Sequence, residues 1–315
     1  MTEHDGIKPA FMTENVPLAA MTSFGIGGPA RWLASPANRR ELAGAAQFAA
    51  RSGLPVLFLG GGSNLLAADA GVEAVVVRLN SDGDFGRIDI DPDDELTWRV
   101  GAAVPLASLV SATAREGVPG LEMMAGIPGR VGGAVAMNAG AWSGSIGDLV
   151  AEAEVFDPRD GSFRTMSARE LDFSYRHSGL VGVMGLRFVF SFFGKAPEET
   201  VSGRVREYRE RKKASQPLGK PSAGCVFKNP PGDSAGSLLD QAGCKDMREG
   251  GAAVSALHAN FIVNQEGAGS GDVARLAARM RDAVWRKFAI ELEPELVMWG
   301  EDPGFGALRA GPGRK

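Results

Sequence analysis

Apolar positions recur at helical spacing in some stretches of the chain and in short runs bounded by turn residues in others, and the alternation predicts a mixed fold. Residues 39–52 (RRELAGAAQFAARS) carry apolar side chains three and four apart, with charges at the start and Gly53 just after, which predicts an amphipathic helix. Residues 272–290 (DVARLAARMRDAVWRKFAI) repeat that pattern more strongly. Residues 95–117 read as a strand followed by a helix that stops at Gly117. Pro55–Leu59, EAVVVRL at 73–79 and the stretch Val181–Phe193 read as buried strands, and ELEPELVMWG at 291–300 as a further one. AEAEVFDPRDGSFRTM at 151–166 predicts a hairpin, because DPRDG supplies turn chemistry between two β-rich runs. Strands and helices alternate without a regular βαβ rhythm, which favours an α+β class over a doubly wound sheet.

The pattern changes between 194 and 217 (GKAPEETVSGRVREYRERKKASQP), where a polar segment with a helical middle is ended by Pro217. This places a domain boundary close to Lys195. The expected layout is an N-terminal extension at 1–20, a first domain of two α+β lobes at 21–194, a second domain at 195–302, and a mobile Gly-, Pro- and Arg-rich tail at 303–315.

Composition narrows the function classes. Apolar residues make up 44% and charged residues 23%, a globular balance, and 315 residues suffice for two or three buried cores. The net charge of −4 is spread along the chain, so neither nucleic acid nor an anionic membrane is an expected partner, and an anionic ligand must be met by local groups. Residues 1–16 lack the apolar core of a signal peptide, and no apolar run is long enough to span a bilayer. Two cysteines, Cys225 and Cys244, form no CxxC pair, which fits a reducing, cytoplasmic compartment; no metal-ligand spacing appears, and a monomer is expected.

The 43 glycines cluster in a few segments. Gly60, Gly61, Gly62, Ser63, Asn64 and Leu65 follow a buried strand; such a loop can curl its amides around a phosphate, and a tight strand-connecting turn accounts for it equally well. The stretch 126–141 (GIPGRVGGAVAMNAGA) is more specific. It offers Gly126, Ile127, Pro128, Gly129, Gly132, Gly133, Ala134, Asn138, Ala139 and Gly140. A closely packed helix would lose stability at each glycine, so this density fits better a large flat ligand lying on main chain. Together the two loops suit a diphosphate and an isoalloxazine ring.

With MTSFGIGGPA at 21–30, FSYRHS at 173–178, KPSAGCVFKNP at 220–230, AGSLLDQAG at 235–243, HANFIVN at 258–264 and LEPEL at 292–296, these loops resemble, in order and spacing, the UDP-N-acetylenolpyruvoylglucosamine reductase (MurB) family. The resemblance runs from about Thr22 to Gly300. It implies an FAD-binding domain of the vanillyl-alcohol-oxidase-like, PCMH-type superfamily followed by a C-terminal α+β substrate domain. FAD would be bound non-covalently, since no His or Cys falls in either loop. NADPH would be the electron donor and the enolpyruvyl ether of UDP-N-acetylglucosamine the acceptor, a reduction in peptidoglycan precursor synthesis. Residues 177–193 leave no room for the substrate-binding tyrosine loop of the longer family form, so the shorter form is expected.

Hydride addition to an enol ether beside a carboxylate builds negative charge, which calls for a fixed cation and an acid. The resemblance assigns the cation to Arg176 and a carboxylate role to Glu295, with Glu293 two residues away as the decoy. The proton donor of the family is a serine, whereas this chain carries Cys225. A thiol with a reference pKa of about 8.5 is a far stronger acid than a hydroxyl, so Cys225 is the expected donor; the alternative is a small buried residue with water delivering the proton. Tyr175, Lys228, Asn229, Arg211 and Lys212 are candidates for the UDP moiety, although the run Arg211-Lys212-Lys213 reads equally as a solvated helix face. The competing activity is an FAD-dependent oxidase of an alcohol or lactone, which shares the first domain only.

Overall fold

The computed structural model of the chain describes residues 9–142 and 144–309. The first unit rests on two sheets. A four-stranded sheet runs in the order Met12–Pro17, Pro29–Ala34, Val72–Val77, Val56–Phe58, with only the first junction antiparallel. Parallel strands of one sheet need a crossover, and helix α1 (Arg39–Ser52) supplies it between Pro29–Ala34 and Val56–Phe58, which flank Val72–Val77. Its ends are those the sequence predicts. Asn38 accepts from the Glu41 N–H at 3.0 Å, and Gly53 closes the helix in the left-handed region. Residues 12–17, expected as part of an extension, are thus an edge strand of this sheet; residues 1–8 lie outside the described residues.

The second sheet is antiparallel throughout, in the order Ser162–Ser167, Val150–Asp157, Met184–Ser191, Thr97–Gly101, Ile88–Ile90. It contains the expected hairpin. Met184, Leu186, Phe188 and Phe190 alternate inward from one strand, and helices α2 (Leu106–Arg115) and α3 (Val131–Ala136) close the same core. Helix α4 (Glu198–Ser215) also packs here, with Val205 and Tyr208 against this core. The change of core therefore falls near Pro217 rather than Lys195. A helix with so few apolar residues reads as linker in the sequence, yet those few cover α2.

The second unit packs α5 (Ala235–Gln241) and α6 (Ser270–Phe288) on a short antiparallel sheet of Arg248–Glu249, Ala252–Val254 and Ile262–Asn264. The expected mobile tail is instead helix α7 (Pro303–Arg309) as far as Arg309. Phe305 and Leu308 are buried in this core, and Arg281 donates to Leu308 O at 2.7 Å. Two apolar residues three apart outweigh the tail's Gly and Pro content; residues 310–315 lie outside the described residues.

The units interlock. Val297–Trp299 pairs in parallel with Leu65–Ala67, immediately after the first glycine loop, and Phe24, Ile26 and Leu66 sit in the second core. The expected strand at 291–300 is reduced to Val297–Trp299; Pro294, which has no N–H, makes only an isolated bridge to Phe227. Among the described residues no helix is long and apolar enough to cross a membrane.

Candidate active site

The two glycine loops lie against each other. A Cβ at Gly62, where φ is +64°, would sit 2.0 Å from Met21 O, and one at Gly61 would sit 2.6 Å from the Gly129 Cα. Ser63 Oγ donates to Pro128 O at 3.0 Å, closing one loop on the other. None of the backbone N–H groups from Gly60 to Asn64 finds an acceptor among the described residues, which leaves successive amides available to a ligand. The second loop does include a short helix, α3, against the sequence expectation. Gly132 is required there by Ala102, whose Cβ a new one would approach to 2.9 Å. Gly133 is different: a Cβ there would meet nothing within 4 Å. Protein packing does not demand that glycine, and a ligand lying on α3 would. A row of free amides beside a bare helix surface fits a diphosphate-linked flat ring. The side chains of Ser63, Asn64 and Asn138 are already engaged with protein groups, which leaves main chain as the donor.

Beside this cradle three distant segments meet. Arg176 tops a tight turn in which Ser174 and His177 exchange backbone hydrogen bonds, and its φ of +56° is a strained conformation for a non-glycine residue. Its Nε lies 2.6 Å from Glu295 Oε1; the N–H has no well-aligned acceptor, so this is chiefly charge contact. Its Nη1 donates to Gly140 O at 3.3 Å, tying the cation to the second glycine loop. Burial raises the pKa of Glu295, opposed by the positive charges of Arg176 and Lys228.

Cys225 belongs to the same electrostatic cluster. Burial pushes its thiol up to about 12, Glu295 pushes the same way, and Arg176 opposes. This corrects the acidity expected from the reference thiol: Cys225 stays protonated at neutral pH and is a weaker acid than a free cysteine. It also loses most of the oxidation liability that a thiolate would carry. The segment bearing it runs between two others. Val226 N donates to Asn260 O at 2.9 Å, and Glu295 N donates to Val226 O at 2.8 Å. Cys244 is buried in the second core, away from this chemistry.

The candidate substrate residues divide. Tyr175 is 54% exposed and its hydroxyl accepts from Asn229 N at 3.2 Å, while the Asn229 Oδ1 accepts from Ala235 N at 3.0 Å. Lys228 reaches Glu293, the decoy carboxylate, at 2.6 Å. The basic run splits completely. Arg211 pairs with Glu207 on the exposed face of α4, whereas Lys212 is 3% exposed with its Nζ 5.4 Å over the Trp142 ring. Burial, then the charge of Arg176, lowers Lys212 to about 8. A signal for this was present: Val201, Val205, Tyr208 and Lys212 are spaced four, three and four apart, on one helix face. Also unforeseen were Trp142, whose ring lies 4.7 Å from that of Tyr208 at a 41° tilt, and Asn260, which no composition rule singles out.

Residues 30–167 match the FAD binding domain family and residues 216–299 match the family described as UDP-N-acetylenolpyruvoylglucosamine reductase, C-terminal domain. The chain is 43% identical over 290 residues to UDP-N-acetylenolpyruvoylglucosamine reductase 2 of Symbiobacterium thermophilum, covering 92% of each chain. It is 42% identical over 303 residues to the corresponding enzyme of Moorella thermoacetica, covering 94% of this chain and 95% of that one.

The chain belongs to the UDP-N-acetylenolpyruvoylglucosamine reductase family.

The crystal structure of the family member from Thermus caldophilus superposes with a TM-score of 0.79 at 40% identity, covering 92% of this chain and 100% of that one. The two family matches partition the site. Both glycine loops fall in the FAD binding domain, Cys225 and Glu295 fall in the reductase C-terminal domain, and Arg176 lies between. A C-terminal domain of reductase type argues against the oxidase alternative. Only residues 177–183 separate Arg176 from the strand Met184–Ser191.

Proposed function

We propose that the chain catalyses NADPH-dependent reduction of UDP-N-acetylglucosamine enolpyruvate to UDP-N-acetylmuramate, using non-covalent FAD, as a step in building peptidoglycan precursors. The observation that carries this is the contact of Arg176 with Glu295 beside the protonated thiol of Cys225, at the edge of the glycine cradle. Gly60–Asn64 and the α3 surface at Gly133 would hold FAD, which when bound relays a hydride from NADPH to the enol ether. Arg176 faces the carboxylate of the enolpyruvyl group and stabilises the charge that accumulates there. The strained turn and Gly140 O keep the guanidinium aimed before substrate arrives. Cys225 Sγ carries the proton destined for the carbon next to that carboxylate. Glu295, raised above the ordinary carboxylate range, returns a proton to the site. Lys212, Lys228, Asn229 and Tyr175 receive the UDP moiety, whereas Arg211 does not. The two free thiols suit a cytoplasmic enzyme.

Anaerobic addition of NADPH to the flavin-loaded protein should bleach the flavin, and UDP-N-acetylglucosamine enolpyruvate should then restore its absorbance. Bleaching without restoration would remove the acceptor from this reading; no bleaching would remove the donor.

A further inference from the structure

Each of the three catalytic side chains sits on irregular backbone, and next to each an asparagine amide replaces the missing ladder partner. Asn64 Nδ2 donates to Glu295 O at 2.9 Å, and its own carbonyl accepts from Val297 N at 3.0 Å. Asn138 Nδ2 donates to Ser174 O at 2.8 Å, on the turn that carries Arg176, while its Oδ1 accepts from Gly147 N at 3.0 Å. Asn260 Nδ2 donates to Phe227 O at 2.8 Å, and its Oδ1 accepts from Phe227 N at 3.0 Å, two residues beyond Cys225.

A primary amide is the one neutral side-chain group that offers both an N–H and a C=O, so it can stand in for a peptide unit where no strand runs. Glu295 is half-buried and Phe227 buried, where an unpaired carbonyl would draw in water or shift the backbone; Ser174 is exposed, but its bond to the buried Asn138 is part-buried. Asn260 shows the device most fully. It is 2% exposed, grips both polar groups of Phe227, and accepts from Val226 N through its own carbonyl. Its backbone N–H in turn donates to His258 Nδ1 at 3.2 Å.

We infer that Asn64, Asn138 and Asn260 are positioning residues that hold Glu295, Arg176 and Cys225 in register for the substrate-reducing half of the reaction. The inference rests on the activity proposed above. Asn→Asp is nearly isosteric but turns each N–H···O=C contact into one between two oxygens, so it tests the donated hydrogen bond without emptying the site.

In Asn260→Asp, flavin content and the rate of flavin bleaching by NADPH should stay within about twofold of wild type. Reoxidation by the enolpyruvyl substrate should slow about ten- to a hundredfold, the scale of a small misplacement of a reacting group. Combined with Cys225→Ala, the same substitution should add less than about twofold, because it acts through a side chain already removed. Reoxidation at the wild-type rate, or equal slowing of both half-reactions, would overturn the inference. Should Asn260→Asp not accumulate folded, Asn138→Asp alone and in the Arg176→Ala background carries the same expectation and the same refutation. A wild-type protein that fails either half-reaction refutes the activity instead; one that runs both while the asparagine variants do too refutes only the positioning.

Discussion

In the proposed reading, free amides from Gly60 to Asn64 and the bare helix surface at Gly133 make the flavin cradle almost entirely from main chain, each piece continuous in sequence. The cluster beside it is made of side chains at 176, 225 and 295, which meet only after the second unit has docked through Val297–Trp299. The cradle works by what its residues lack. By the inference above, the cluster works by what neighbouring amides hold in place, so a small displacement there should cost chemistry without costing the ligand. The two regions should fail differently, and variants can make them do so.

The largest expected effect is in the cluster. Arg176→Ala removes the only cation in contact with Glu295 among the described residues and should slow reoxidation by substrate about a hundred- to a thousandfold, as for loss of a single charge-stabilising donor. Flavin content and bleaching by NADPH should change little, since the cradle does not depend on that charge. Stopped-flow measurement of the two half-reactions checks it; equal loss in both would mean that Arg176 supports the cradle through Gly140 after all.

How far each region was legible in the sequence follows from the same contrast. A glycine loop announces itself locally, and α1 could be drawn from Arg39 to Ser52 because its apolar stripe, the charges at its start and Gly53 lie within one short window. The asparagine clasps could not be drawn, because each joins residues whose neighbourhood is purely tertiary. Cys225 was located by its motif, but its acidity was misjudged: a reference pKa knows nothing of burial beside Glu295. The α7 helix was missed because Gly, Pro and Arg content outweighed Phe305 and Leu308 in the reading, whereas burial of those two decides the structure.

The next effect separates two kinds of glycine within the cradle. Gly62→Ala places a methyl against Met21 O at a positive φ, so it should lower the melting temperature of the protein with or without flavin. The Cβ of Gly133→Val meets no protein atom within 4 Å, and valine is a better helix former than glycine in α3, so the flavin-free protein should melt no lower than wild type. Its FAD affinity should nevertheless fall at least about tenfold, a loss of about 1.4 kcal/mol. Calorimetry of the apo-protein and flavin retention on gel filtration measure both; normal flavin binding by Gly133→Val would mean that the ring does not lie on this surface.

The smallest effect concerns adjacent residues of α4. Lys212, lowered to about 8 by burial and by Arg176, is charged below that pH and loses its charge as pH rises through it. Affinity for the anionic ligands should therefore weaken on the alkaline side of about pH 8, approaching tenfold per unit once the neutral amine dominates. Cys225, raised to about 12, stays protonated over this range and contributes no alkaline limb of its own. Lys212→Arg, whose guanidinium does not titrate there, should abolish the limb. Arg211→Ala, one residue away but facing solvent beside Glu207, should leave both the limb and the KM within about twofold, because an exposed ion pair contributes little. KM against pH for the three proteins decides the matter. A limb that persists in Lys212→Arg would assign it to another group, and one that vanishes in Arg211→Ala would put the ligand on the outer face of α4.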